Sequence, residues 1–419
     1  MNNSHLSIPT TRREFLTWGS RGIGLLAFSQ FAPSFLVEST LAATPSPEKD
    51  RSILVLVQLA GGNDGLNTVI PYEDPEYYRL RPTLGIKKDA AIRLDDTLGL
   101  HPSLAALHTL MQDGRAGIIQ NVGYPNPNHS HFRSSEIWET GSESNEFLPS
   151  GWIGRFLDNA CGGADGTAGS GGDPVAVHVT NELPQSFMSG KPHSTFGLRG
   201  GGGGRNNKES LAFLEKLVKQ DDHEANANAS FLRATMMDAL VTEQRVQKVI
   251  NNYKAESVYP GNGFAQSLKN VASLISAGMS TRVYFVSLGG FDTHSNQANN
   301  HGNLLRTLSE GLAAFQADLV AKKLDSQVLT MTFSEFGRRP NENESRGTDH
   351  GTAAPLFVMG SRIKGGLHGT PPSLNNLPRN QDLAFSTDFR QVYATVLDKW
   401  FSCPTDQILG KNYKPLPFI

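Results

Sequence analysis

The side chains of this 419-residue chain that can do chemistry gather in short polar clusters beside apolar runs. In VYFVSLGGFDTHSNQ (283–297), Asp292 and His294 stand just past five largely apolar residues and a pair of glycines. ILVLVQLAGGNDGLN (53–67) carries Asp64 and Asn67 into a glycine turn, and QVLTMTFSEFGRR (327–339) ends in Glu335, Arg338 and Arg339. RGTDHGTAAPLFVMG (346–360) sets Asp349 and His350 ahead of an apolar run. Carboxylates and imidazoles are ligands for divalent cations, and they are also the acids and bases of hydrolytic sites. Ligands of open α/β sheets sit at the carboxyl ends of the strands. The four clusters therefore predict one polynuclear or acid/base site, with Asp64, Asp292, His294, Glu335 and His350 as candidate metal ligands. Asn67 and Arg338 are the candidate substrate contacts.

A fifth stretch, YPNPNHSHFRSSEIWETG (124–141), reads as a loop entering a short helix, with His129, Ser130, His131, Arg133, Ser134 and Ser135 at the helix start. A helix N-terminus favours anions, and a serine nucleophile needs a base, a metal or a positive field to ionise. Ser130 and Ser134 are the candidate nucleophiles and Arg133 the candidate oxyanion grip. The competing reading is that the serines cap the helix and Trp138 packs it. Lys191, His193 and His301 are further polar groups that can face such a site.

The elements that must position these groups follow from periodicity. Apolar runs at 53–59, 116–122, 283–287, 327–332 and 356–359 read as buried strands. Apolar spacing predicts helices over 101–113, 264–277, from about 297 onward and over 389–401, the last capped by Ser386-Thr387-Asp388. Strand, helix, strand over 53–122 predicts a parallel unit. The glycine-rich stretches 162–173 and 198–207 fit no dinucleotide fingerprint, since neither follows a clear strand or opens a helix promptly. With helices at 209–219 and 230–253 they form an expected insertion around 162–280 that roofs the site.

Composition sets outer limits. Formal net charge is −2 and the pI is about 6.6, which gives no electrostatic case for nucleic acid. Cys161 and Cys403 are the only cysteines and lack metal-type spacing. At the start, Thr11-Arg12-Arg13-Glu14-Phe15-Leu16 carries paired arginines, then a mildly apolar run over 22–37 and the small residues of 40–43. That order reads as a twin-arginine export signal over 1–43, cut near residue 44. The apolar run is too short and too interrupted to span a bilayer. The expectation is a periplasmic or secreted bacterial protein, handled by the twin-arginine machinery, with no permanent membrane span. About 375 residues then remain for the folded part, enough for one large α/β domain or two smaller ones.

Taken together, the twin-arginine start, LAGGNDGLNTVIPY, HSHFRSSEIWETG, GGFDTHSNQ, TFSEFGRR and GTDHGTAAPLFVMG resemble domain-of-unknown-function family 1501. That family is grouped with the alkaline phosphatase and sulfatase superfamily. The resemblance implies a three-layer α/β sandwich with a mostly parallel central sheet over 44–419. It also implies hydrolysis or transfer of phosphate or sulfate esters of small molecules or polymers, using one or two divalent ions (Zn, Mn, Mg or Ca). Asp64 resembles the superfamily's first aspartate ligand, Asp292 and His294 its Asp…His pair at a shorter spacing, and His350 its last histidine. Glu335 stands where an Asp-His pair would follow a strand, with Phe336 in place of the histidine. Counting back from Thr140-Gly141 places the superfamily nucleophile at Phe132. The nucleophile is then displaced to Ser130 or Ser134, replaced by water, or absent. The alternative to a hydrolase is a noncatalytic envelope protein on the same fold that binds metal or glycan.

Overall fold

The computed structural model describes residues 51–159, 173–191, 193–198, 241–375, 377–378 and 381–419. The expected export signal, both glycine-rich stretches apart from Asp173 and Leu198, and most of the expected helices at 209–219 and 230–253 lie outside these residues. The chain divides into two compact units. The smaller (Met1–Glu48, Ser170–Gly172, Gly203–Lys248) is represented among the described residues by 241–248, which are helical. The larger comprises Lys49–Gly169, Asp173–Gly202 and Val249–Ile419, and everything below concerns it.

Its frame is a nine-stranded sheet. In chain order the strands are β1 (Ile53–Ala60), β2 (Ala116–Gly123), β3 (Ala176–Val179), β4 (Thr195–Gly197), β5 (Val283–Gly289) and β6 (Val328–Phe333). A separate two-stranded hairpin follows, β7 (Arg338–Glu342) with β8 (Thr348–His350), and the large sheet resumes with β9 (Ala354–Met359), β10 (Gly366–His368) and β11 (Thr387–Asp388). The lateral order is β10-β2-β9-β6-β1-β5-β3-β4, with β11 continuing beside β2. β1 lies centrally, parallel to β5 through Leu54↔Val283 and to β6 through Ile53↔Val328.

Apolar runs such as ILVLV and VYFV lack strict alternation because both faces of the sheet are covered. Leu54, Leu56, Val283, Phe285, Leu329 and Met331 face a cluster built with α3 (His131–Thr140), α4 (Trp152–Asp158) and α7 (Phe389–Thr395). Their neighbours along the strands, Val55, Val57 and Tyr284, are equally buried and point the other way. There α2 (Ala105–Gln112), α5 (Gly263–Ser276) and the 25-residue α6 (Gln297–Ala321) pack together. The result is a three-layer α/β sandwich. A short helix, α1 (Pro75–Leu80), lies beyond β1.

One expectation needs adjustment. β1 and β2 run in the same direction, but they are not neighbours, because β6 and β9 lie between them. β9 runs antiparallel to both β6 and β2. This reversal matters for the site. The residues ahead of an antiparallel strand lie at the sheet edge where its parallel neighbours finish, so His350 meets the loops that leave β1, β2, β5 and β6.

Among the described residues no helix is long and apolar enough to cross a membrane. Cys403 is disulfide-bonded, and Cys161 lies outside the described residues.

Candidate metal centre

Asp292 is the hub of the strand-end site. β5 stops at Gly289, the next glycine takes φ +104°, and the loop delivers Asp292 half-exposed above the sheet edge. Backbone approach here is close. Gly61 adopts φ +120°, and a Cβ on it would lie 2.3 Å from the Asp292 nitrogen. A Cβ on Gly347, in the β7–β8 turn, would lie 2.1 Å from the His294 carbonyl carbon. Only glycine permits both contacts.

Three chain segments bring partners to the Asp292 carboxylate. From the hairpin, Arg338 Nη2 donates to Oδ1 at 2.7 Å, and His350 Nε2 lies 3.0 Å from the same oxygen. Arg338 and His350 are cross-strand partners, so the hairpin register delivers both at once. From the first residue of α3, His131 Nε2 stands 3.4 Å from Asp292 Oδ2. His294, two residues along the same loop, places Nε2 at 3.0 Å from Oδ1 and 2.9 Å from His350 Nε2. Burial would raise the Asp292 pKa. The contacts of Arg338 and His350, with the charges of Arg338 and His294, hold it down at about 2.

The far side of each ring decides what the near side offers. His350 Nδ1 bonds the His129 carbonyl oxygen at 2.8 Å, and a carbonyl only accepts, so the neutral ring carries its proton there. His131 Nδ1 lies 2.9 Å from Glu335 Oε1, which also accepts from the Gly61 N–H at 2.8 Å. That ring too is protonated on Nδ1. With both rings neutral, the two Nε2 atoms converge on a carboxylate, an arrangement satisfied by a cation between them. Burial lowers the His350 pKa, against the opposing pull of Asp292 and the His129 carbonyl. Among the described residues, ligand atoms of His131, Asp292 and His350 all lie within 4.8 Å of one another. These residues fit a divalent cation.

The other expected residues are placed as follows. Glu335 stands behind His131, with Oε1 on the ring and on Gly61 and with Oε2 buried and unpartnered. Phe336 is a wall, its ring 5.0 Å from that of His131 and 4.5 Å from that of His350. Arg338 is fully buried and donates to the carbonyls of Gly61, Gly62, Phe291 and Thr348 as well as to Asp292, so it builds the site and is not exposed to a substrate.

Asp64 is not brought to the cluster. Its carboxylate takes Arg81 at 2.6 and 2.9 Å and the Gln297 amide, all buried. Burial would raise its pKa, but the charge and hydrogen bonds of Arg81 hold it below the usual range. Asn67 is spent in the same network, accepting from Tyr77 and Arg81 and donating to the Leu84 carbonyl. His301 is buried there too, with Nε2 3.0 Å from Asn63 Oδ1, and burial drops its pKa to about 4.

The α3 serines divide. Ser130 is the exposed N-cap residue, although its hydroxyl makes no cap bond. Ser134 is buried, donates to the Asn128 carbonyl at 2.7 Å and meets the Tyr124 hydroxyl at 2.5 Å, so it ties down the loop ahead of the helix. Arg133 turns away from the cluster, paired with Glu136 at 2.7 Å, bonded to the Ser144 carbonyl at 3.0 Å and stacked over Phe147. Lys191 and His193 are anchored on Asp158 instead of lining the site.

The sequence reading left His131 as one polar residue among six at a helix start. Its signal was His131 at the first helical position after a β2-end loop that faces the other clusters. Arg81, in EYYRLRP, carried no signal at all.

Known proteins share this chain's pattern to different depths. The family model described as protein of unknown function (DUF1501) matches residues 51–409. No curated protein matches the chain. Similar solved structures include a protein in the alkaline phosphatase superfamily from Vibrio parahaemolyticus, at 9% identity and TM-score 0.37, covering 87% of this chain and 71% of that one. PsFucS1 sulfatase from Pseudoalteromonas sp. is 11% identical at TM-score 0.37, with 89% and 73% covered. The C-terminal periplasmic domain of EcEptC from Escherichia coli, in complex with Zn, is 10% identical at TM-score 0.35, with 76% and 75% covered.

Proposed function

The chain belongs to the DUF1501 family, and from its site we propose an exported metal-dependent hydrolase acting on phosphate or sulfate esters. The observation that carries this reading is the pair of imidazoles, His131 and His350, each donating Nδ1–H to an oxygen acceptor and each aiming Nε2 at Asp292. Two nitrogens and one carboxylate leave coordination positions open, the mark of a catalytic rather than a closed structural site. Nitrogen-rich donors of this kind suit zinc and its neighbours better than calcium or magnesium.

When bound, a divalent ion there supplies Lewis acidity toward an ester oxygen. The protein's part is to shape that position. Arg338 keeps Asp292 ionised and fixes its rotamer. Glu335 and the His129 carbonyl fix the ring planes of His131 and His350. Phe336 excludes water from behind the two rings. His294, half-exposed at the rim with Asp349 3.5 Å from its Nδ1, is the group placed to move a proton between an attacking water and a leaving oxygen. With Ser134 committed to the loop, the nucleophile in this reading is water or the exposed Ser130.

The same commitment favours a second reading, a metal-holding protein without turnover. One experiment separates them. Protein stripped by chelator and reloaded with Zn²⁺ or Mn²⁺ is assayed on p-nitrophenyl phosphate and p-nitrophenyl sulfate, beside His294→Ala and the double variant Asp292→Ala/His350→Ala. Turnover that needs metal, falls in His294→Ala and vanishes in the double variant is expected. Stoichiometric metal with no turnover on either ester or on a wider ester set selects the second reading. Export through the twin-arginine route belongs to the same proposal. Replacing Arg12-Arg13 by Lys-Lys is expected to hold the protein in the cytoplasm, and export unchanged by that replacement would contradict it.

A further inference from the structure

A segment with no ligand of its own lies across the two strand ends that supply the histidines. Residues 381–388 are stitched on one side to the end of β2. Asn121, at φ +51°, donates its side-chain amide to the Ala384 carbonyl at 2.8 Å and accepts the Ser386 N–H at 3.1 Å, and β11 then pairs with Val122 and Gly123. On the other side, Thr352, just before β9, donates its hydroxyl to the Leu383 carbonyl at 2.6 Å. The segment thus bridges the loop that leads to His131 and the loop that follows His350.

From this bridge Asp382 turns inward, 1% exposed. Its Oδ2 lies 3.1 Å from His129 Nε2 and its Oδ1 3.5 Å from Arg339 Nε. Each contact leads to the metal centre through one covalent neighbourhood. The His129 carbonyl accepts the His350 Nδ1–H, and Arg339 follows Arg338, the residue that holds Asp292. A carboxylate inaccessible to solvent is costly unless it is paired, and His129 and Arg339 are the groups beside it. Here it joins the two chain segments whose relative position sets the angle of the His350 ring.

Resting on the metal-centre reading, we propose that Asp382 is a positioning residue for that centre. It clamps His129 so that the His129 carbonyl orients the His350 imidazole toward the cation. Outer partners of this kind change metal affinity by roughly 10- to 100-fold.

The test is Zn²⁺ affinity by chelator competition, together with the Co²⁺ absorption spectrum, on the full protein and on Asp382→Asn, His129→Ala and their double variant. His129→Ala removes the clamped ring, keeps the carbonyl and sits on a half-exposed side chain, so it carries the test if Asp382→Asn does not fold. Expected is a Zn²⁺ affinity lower by about 10- to 100-fold in each single variant. The double variant should be no weaker than either single, because both remove one clamp, and the Co²⁺ band should shift in each. A general loss of stability would not produce that non-additivity. Zn²⁺ affinity within about twofold of wild type in folded variants, or losses that simply add, overturns the clamp and leaves the metal centre standing. Wild-type protein that binds neither Zn²⁺ nor Co²⁺ overturns both.

Discussion

Two Asp/His/Arg clusters sit at the same edge of the sheet, and they use their side chains in opposite ways. Around Asp64, every oxygen is matched: Arg81 and Gln297 donate to the carboxylate, and Tyr77 and Arg81 donate to Asn67. Around Asp292 one arginine donates, while two histidines give Nδ1 to outer oxygen acceptors and turn Nε2 inward. The residue types are the same, so composition cannot tell scaffold from site. What differs is where the protons point and whether solvent can enter.

Breaking the scaffold cluster should have the larger effect. Arg81→Met strands a buried Asp64 carboxylate, and a loss of about 3–5 kcal/mol in unfolding free energy is expected, read by denaturant titration. Zn²⁺ affinity of the folded fraction should stay near wild type. Breaking the other cluster should do the reverse. Asp292→Ala leaves Arg338 bound to four backbone carbonyls, so stability should hold, while Zn²⁺ affinity falls by more than about 100-fold in chelator competition. If both variants lose stability and metal together, the division is wrong.

Acid sharpens the contrast. Burial lowers His101 and His301 to about 4 in the folded protein, against about 6.5 when unfolded. The unfolded chain therefore binds protons first. Stability is complete above about pH 6.5 and drains away as pH falls toward 4. Metal-free protein followed by thermal midpoint should show this slope, and a flat profile between pH 7 and 4 would contradict it. The smallest effect is reserved for Ser134→Ala, which removes a loop tie worth about 1 kcal/mol and should leave Zn²⁺ affinity and any ester turnover unchanged.

The sequence made the sheet legible because strands buried on both faces are continuous apolar runs, and 53–59, 116–122 and 283–287 needed only one or two more residues each. It made Asp292 and His350 legible for the same reason, since each flanks such a run. It did not reveal that β9 is reversed, because an apolar run carries no direction. Asp64 looked equivalent to Asp292 since its neutralising partner, Arg81, comes from a short helix with no special pattern. Pairing at a sequence separation of 17 depends on tertiary packing. His131 and Ser134 exchanged importance for a related reason. The two share one face of α3 a turn apart, and the placement of α3 against the core decided which of them met the site.

The most direct test is divalent metal content by elemental analysis of the protein, beside Asp292→Ala/His350→Ala, after loading each with Zn²⁺, Mn²⁺ or Ca²⁺ and removing excess. Bound metal in the wild type, held by nitrogen-rich ligands and lost in the double variant, is the predicted result. Equal metal in both proteins, or none in a folded wild type under any of the three ions, would contradict a centre built on His131, Asp292 and His350.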